Sequence, residues 1–125
     1  LKDSIMVWEF FERAKKVAVQ RKDNRSFLIG AAAIRSDGVC VCSANGPVLM
    51  HGDDKHYFKW AHAEARVIRK VDKGATVFVV RVCKTTGGFK NARPCQTCIN
   101  AMRTRMVKKV YYTISNNEFG VIILN

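Results

Sequence analysis

Two apolar runs of strand length limit the folds open to this chain. Phe27 to Arg35 reads Phe-Leu-Ile-Gly-Ala-Ala-Ala-Ile-Arg, and Ala75 to Cys83 carries Thr76-Val77-Phe78-Val79-Val80-Arg81-Val82. Neither run alternates apolar with polar residues as a half-solvated strand does. The first is expected to be a strand buried on both faces. The second is expected at the centre of a sheet.

The segments between these runs set the architecture. Residues 3 to about 22 read as a helix, capped by Asp3 or Ser4 and stopped by Asp23-Asn24. Ile5, Trp8, Phe11, Ala14 and Ala18 form its inward stripe, and Glu9, Glu12, Arg13 and Lys16 its solvated face. Ser36-Asp37-Gly38 is a turn into a second strand, Val39 to Ser43. Cys40 and Cys42 share a face of it and are expected to be small buried hydrophobes. Asn45-Gly46-Pro47 breaks this strand, and a polar loop over 50–56 leads to the aromatic cluster Tyr57-Phe58-Lys59-Trp60.

A second helix is expected from near Ala61 to about Asp72, with Val67, Ile68 and Val71 inward and Lys73-Gly74 closing it. Lys84 to Ala92 reads as loop. Cys95 to Met106 reads as a third helix with Cys98, Ile99 and Met102 inward. Val107 to Ile114 and Phe119 to Leu124 are strands around the turn Ser115-Asn116-Asn117. A hairpin followed by strand and helix in alternation makes this an α/β chain with a mixed sheet flanked by helices. Its 125 residues suit one domain, 1–125, with a single core between two layers.

Chemistry concentrates at two helix starts. His62-Ala63-Glu64 opens the second helix, and Pro94-Cys95-Gln96-Thr97-Cys98 opens the third. Helix N-termini carry unpaired N–H groups and partial positive charge, which favours thiolate over thiol. Cys95 and Cys98, three apart, share a helix face. One imidazole and two thiolates match a catalytic zinc site, which uses three protein ligands and leaves one position to water. Glu64 is not needed as a ligand and is available to move protons. Taken singly, each part has another reading. Cys95 and Cys98 could be a redox pair, His62 a core histidine, and Glu64 a helix-dipole partner. His51, His56 or Cys83 could also complete a structural four-ligand zinc.

Charge narrows the partners. Twenty-two Lys and Arg against ten acidic residues give +12, spread along the chain. Such a surface attracts phosphorylated small molecules or polynucleotides. Five cysteines are no disulfide framework, so a reducing, cytoplasmic setting is expected. No apolar run approaches the roughly 18 residues of a membrane span. Signal-peptide and lipidation patterns are not read in the chain either.

The paired pattern, His-x-Glu followed by Pro-Cys-x-x-Cys, resembles the zinc-dependent cytidine and deoxycytidylate deaminase superfamily. The likeness extends through Gly30-Ala31-Ala32-Ala33-Ile34, Asp37-Gly38 and Asn45-Gly46-Pro47. It continues through Ile99-Asn100-Ala101-Met102 and Val107 to Tyr111. It implies a three-layer, cytidine-deaminase-like fold with a central five-stranded mixed sheet and helices on both faces. It implies Zn2+ held by His62, Cys95 and Cys98, with Glu64 as the proton-transfer residue. Asn45 would contact sugar or base, and the backbone at Ala63 the base edge.

The substrate implied is cytosine, carried by a nucleotide or by single-stranded nucleic acid. For a polynucleotide, Tyr57, Phe58 and Trp60 and then Phe89, Lys90 and Arg93 flank the metal motifs and could stack bases or meet phosphates. The loop Ser115 to Phe119 would lie at the same sheet end. The Cys-x-x-Cys-x-x-Ala-Met segment is also similar to tRNA adenosine deaminases, although Phe58-Lys59-Trp60-Ala61 stands where those enzymes often have Asp-Pro. An adenosine substrate and a non-catalytic, zinc-stabilised nucleic-acid-binding module are therefore the alternatives. Such relatives range from monomers to hexamers, which leaves a homo-oligomer open.

Overall fold

The run Phe27–Ile34 forms strand β1, and Thr76–Cys83 forms β5, which pairs with β1 antiparallel along its full length, from Phe27↔Cys83 to Ile34↔Thr76. A computed structural model describes residues 2–20, 27–44, 46–49, 58–61 and 63–125. In chain order the remaining elements begin with helix α1 (Lys2–Gln20), β2 (Cys40–Ala44), β3 (Gly46–Leu49) and β4 (Phe58–Ala61). Helix α2 (Ala63–Val67), β6 (Phe89–Lys90), α3 (Gln96–Thr104), β7 (Lys109–Thr113) and β8 (Phe119–Ile123) follow. The main sheet runs β2-β1-β5-β7-β8, with β6 paired to β5 off that path. The β5–β7 pair is parallel and its other pairs are antiparallel, so the sheet is mixed.

Alternation along β5 explains the layering. Val77 and Val79 enter one apolar cluster with Ala31 and Ala33 of β1 and Val110 of β7. Phe78, Val80 and Val82 enter another with Ala32. Successive strand side chains point to opposite faces, so these two strands need cover on each side. Ala63 and Val67 of α2 and Cys98, Ile99 and Met102 of α3 cover the first face. Val7, Phe11 and Ala14 of α1 cover the second. The result is three layers with two cores, not the one core between two layers that length alone suggests.

Helix α1 lies close on the sheet because β1 offers it a glycine. A Cβ at Gly30 would lie 2.2 Å from the carbonyl oxygen of Ala14. The buried stripe of α1 is Val7, Phe11, Ala14 and Ala18, whereas Ile5, expected inward, is 64% exposed. Trp8 packs beside that stripe, edge-on to Phe11. The turn after β1 is as expected: Gly38 has φ +87° and its N–H donates to the Arg35 carbonyl. Ser36 ties this turn to Asp72, its N–H and hydroxyl both donating to that carboxylate. Those bonds hold the exposed Asp72 carboxyl below its ordinary range.

Several expectations are corrected. Helix α2 ends at Val67 and passes into one 3-10 turn, Ile68–Lys70, before Val71 becomes extended. Cys40 and Cys42 are only half-buried, because β2 is an edge strand. The stretch 84–92 contains β6 and is not all loop. Phe58 to Ala61 is strand, pairing antiparallel with β3 in a separate two-stranded ribbon. Helix α3 ends at Thr104, and two residues on, at Met106, φ is +64°. Its N–H donates to Arg103 and that of Val107 to Met102, a Schellman closure with methionine where glycine is usual. The expected helix stop at Asp23-Asn24, the loop over 50–56 and Tyr57 lie outside the described residues.

Candidate active site

Motif residues are carried by three chain segments: the approach to α3, the start of α2 and the β3–β4 ribbon. Hydrogen bonds fix the first. The Ala92 N–H donates to the Thr113 carbonyl at 2.8 Å, and the buried Thr113 hydroxyl donates to the Lys90 carbonyl at 2.8 Å. The approach to α3 is thereby tied to the C-terminal end of β7. The turn after β7 lies at this end too, since Asn116 Oδ1 accepts the Phe89 N–H at 2.7 Å.

Buried Pro94 leads into Cys95, the N-cap of α3, with extended backbone (φ −70°, ψ 163°). The Cys95 carbonyl accepts the Ile99 N–H at 2.9 Å, and no side chain makes a capping hydrogen bond there. Cys95 is exposed, and Cys98, on the same turn, is 4% exposed within the cluster between helices and sheet.

The second segment is the start of α2. Ala63, its first residue, is fully buried in the same cluster as Cys98. Glu64 lies in the first turn of α2. The third segment is the β3–β4 ribbon. Gly46 pairs with Ala61, so the sequence neighbours of Asn45 and His62 face one another. Trp60 pairs with Pro47 in this ribbon. Asn45 and His62 themselves, and the side chains of Glu64 and Trp60, lie outside the described residues.

The donor set suits a borderline-soft divalent ion. Two thiols one helical turn apart, at the start of α3, provide two of the ligands zinc prefers. Among the described residues no third His, Cys, Asp or Glu joins them. In particular Cys83, considered above as a fourth ligand, does not. Hydrogen bonds from the hydroxyl and N–H of Thr86 instead engage its sulfur and lower its pKa. All five cysteines are free thiols.

Of the flanking residues expected to meet a polynucleotide, Phe89 is 7% exposed and packs against Trp8 and Phe11. It is core and presents no stacking surface. Lys90 and Arg93 are exposed. Tyr112, which the sequence did not single out, accepts a hydrogen bond from Arg93. The glycine opposite it, Gly120, is the only hint the sequence offers.

This is a three-layer α/β protein with two thiols, Cys95 and Cys98, in the first turn of α3. Residues 7–114 match the family described as cytidine and deoxycytidylate deaminase zinc-binding region, and the chain belongs to that family. Zinc is therefore its metal. No curated protein sequence matches the chain. Among solved structures, it is similar to a crystal structure of cytidine deaminase from Burkholderia pseudomallei at 19% identity. That match covers 93% of this chain and 91% of the other, with a TM-score of 0.68, and shows the same fold.

Proposed function

We propose that the chain is a zinc-dependent hydrolytic deaminase acting on cytosine in a nucleotide or single-stranded nucleic acid. The observation that supports this reading is that α2 and α3, whose starts carry the two motifs, pack on each other and share one buried cluster through Ala63 and Cys98. His62, Cys95 and Cys98 would hold the metal. When bound, zinc supplies the Lewis acidity that makes water a competent nucleophile near neutral pH. Glu64 takes the proton released by the attacking water, passes it to the ring nitrogen, and then assists the departing amine. A C–O bond forms, the C–N bond breaks, ammonia leaves and the ring carbon becomes a carbonyl.

Ala63 contributes backbone hydrogen bonds to the base edge. Asn45 holds sugar or base, and Trp60 lies against the substrate. The net charge of +12 supports an anionic substrate over a free nucleoside. Thiols throughout suit a reducing, cytoplasmic compartment.

The decisive experiment is Glu64→Ala. The variant should keep stoichiometric zinc and its melting temperature, yet lose about 10²- to 10⁴-fold in turnover. Undiminished turnover would refute the role of Glu64. A panel of cytidine, deoxycytidylate, adenosine and single-stranded DNA and RNA, read by mass loss, identifies the base.

A further inference from the structure

Arg93 stands two residues before Cys95, exposed, on a loop that is unusually well tied down. Besides the two bonds linking Lys90 and Ala92 to Thr113, its own N–H donates to Asn91 Oδ1 at 2.9 Å. Its Nη1 donates to the Tyr112 hydroxyl at 3.3 Å, and its guanidinium carbon is 5.7 Å from the Tyr112 ring centroid. The ring is placed by an absence on the neighbouring strand. Gly120 pairs with Tyr112, and a Cβ there would lie 2.4 Å from Cζ and from Oη of the tyrosine. Any side chain at 120 would displace the ring and withdraw the support of Arg93.

The partner chosen for this cation is informative. A phenol orients a guanidinium without neutralising it, and among the described residues no carboxylate pairs with Arg93. The phenol also occupies only part of a donor fork whose planar geometry matches phosphate oxygens. Part of the entropy of ordering a long side chain is thus already met before any ligand arrives. The loop holds this oriented charge two residues before Cys95, by the sheet end where β7 finishes.

We infer that Arg93, positioned by Tyr112 over Gly120, binds the phosphate group of the target nucleotide. The inference rests on the deaminase reading above and adds the residues that recognise the phosphate of its substrate, whether a free monoester or a diester in a single strand. Arg93 is a specificity-determining contact, and Tyr112 a positioning residue.

Calorimetric binding to zinc-loaded Glu64→Ala protein at low salt tests it, with cytidine, cytidine 5′-monophosphate and a short cytosine-bearing single strand as ligands. A phosphate-bearing ligand should bind about 10- to 100-fold more tightly than cytidine. Arg93→Ala should erase that advantage while leaving cytidine affinity unchanged. Arg93→Lys should restore part of it, and Tyr112→Phe should lose part of it. With Glu64 intact, Arg93→Ala should raise KM for the phosphorylated substrate and leave kcat unchanged. A gain with the monophosphate assigns a monoester, and a gain with the strand alone assigns a diester. If Arg93→Ala leaves the ratio of phosphorylated ligand to cytidine unaltered, the inference is wrong and the deaminase reading stands. If no cytosine ligand binds, both fall.

Discussion

Gly30→Ala should destabilise the protein by about 2 kcal/mol without touching the site. The added Cβ would lie 2.2 Å from the Ala14 carbonyl oxygen and 3.0 Å from both its carbon and the Ala18 Cβ. Carbon–oxygen contacts rarely fall below about 3.3 Å. Helix α1 must therefore withdraw by roughly 1 Å, because backbone meets side chain and no rotamer relieves it. A gap of that size forfeits about a quarter to a half of the dispersion across it. The face affected holds Val7, Phe11, Ala14 and Ala18, all buried. Burying its Val and Phe is worth about 1.5–3 kcal/mol each, so the loss is about 1–3 kcal/mol, the usual range for overpacking.

Urea unfolding should show a lower midpoint with an unchanged m-value. Zinc content should not change, since α2 and α3 lie on the opposite face of the sheet. Gly38→Ala is the contrasting control: nothing lies within 4 Å of its Cβ position, but φ is +87°. Its cost of about 1 kcal/mol would come from the backbone alone. A Gly30→Ala effect below about 0.5 kcal/mol would refute the close-approach argument, because it would mean that the helix slides at negligible cost.

Two further outcomes follow from the geometry. Met106→Gly should stabilise by about 0.5–1 kcal/mol in the same assay, because it relieves a left-handed residue at the end of α3 whose side chain is 41% exposed; an unchanged midpoint would count against strain there. Burial, with Cys40 beside it, pushes the Cys42 thiol up from 9.0 to about 11. The folded state then holds this proton more tightly than the unfolded state. The stabilisation is complete below pH 9 and lost between pH 9 and 11. Cys42→Ala should flatten the decline in urea midpoint over that window, and parallel curves for the two proteins would contradict it.

Much of the framework was legible in the residues. The mostly apolar runs at 27–35 and 75–83 were read as a strand buried on both faces and a central strand, because apolar and polar residues do not alternate along them. The Ser36-Asp37-Gly38 turn was read from its glycine, and Cys98, Ile99 and Met102 from their helical spacing. The misses have physical causes. Val67, Ile68 and Val71 continue a helical period, but periodicity does not separate α-helix from a 3-10 turn. Gly46 and Pro47 look like turn residues, so β3 was read as a break; the alternation Phe58-Lys59-Trp60 was the overlooked strand signal. Ile5 fits the apolar stripe of α1 as well as Val7 does, and only the position of the sheet decides between them. Cys95 and Cys98 were singled out by their spacing, and the structure puts them on one turn of α3. The Arg93–Tyr112 contact spans 19 residues and depends on strand register, which local patterns do not encode.

The β3–β4 ribbon has one more consequence. Its terminal pair, Gly46 with Ala61, acts as a clasp whose two ends lead directly to Asn45 and His62. The chain that joins the two arms, from Leu49 to Phe58, can therefore change in length or sequence while the clasp stays shut. Loop closure costs only about 0.6 kcal/mol per doubling of length. One missing or extra residue inside either arm is far more damaging, because it shifts the pairing and inverts which side each residue presents. Variation in sequence is thus tolerated between the arms and penalised within them.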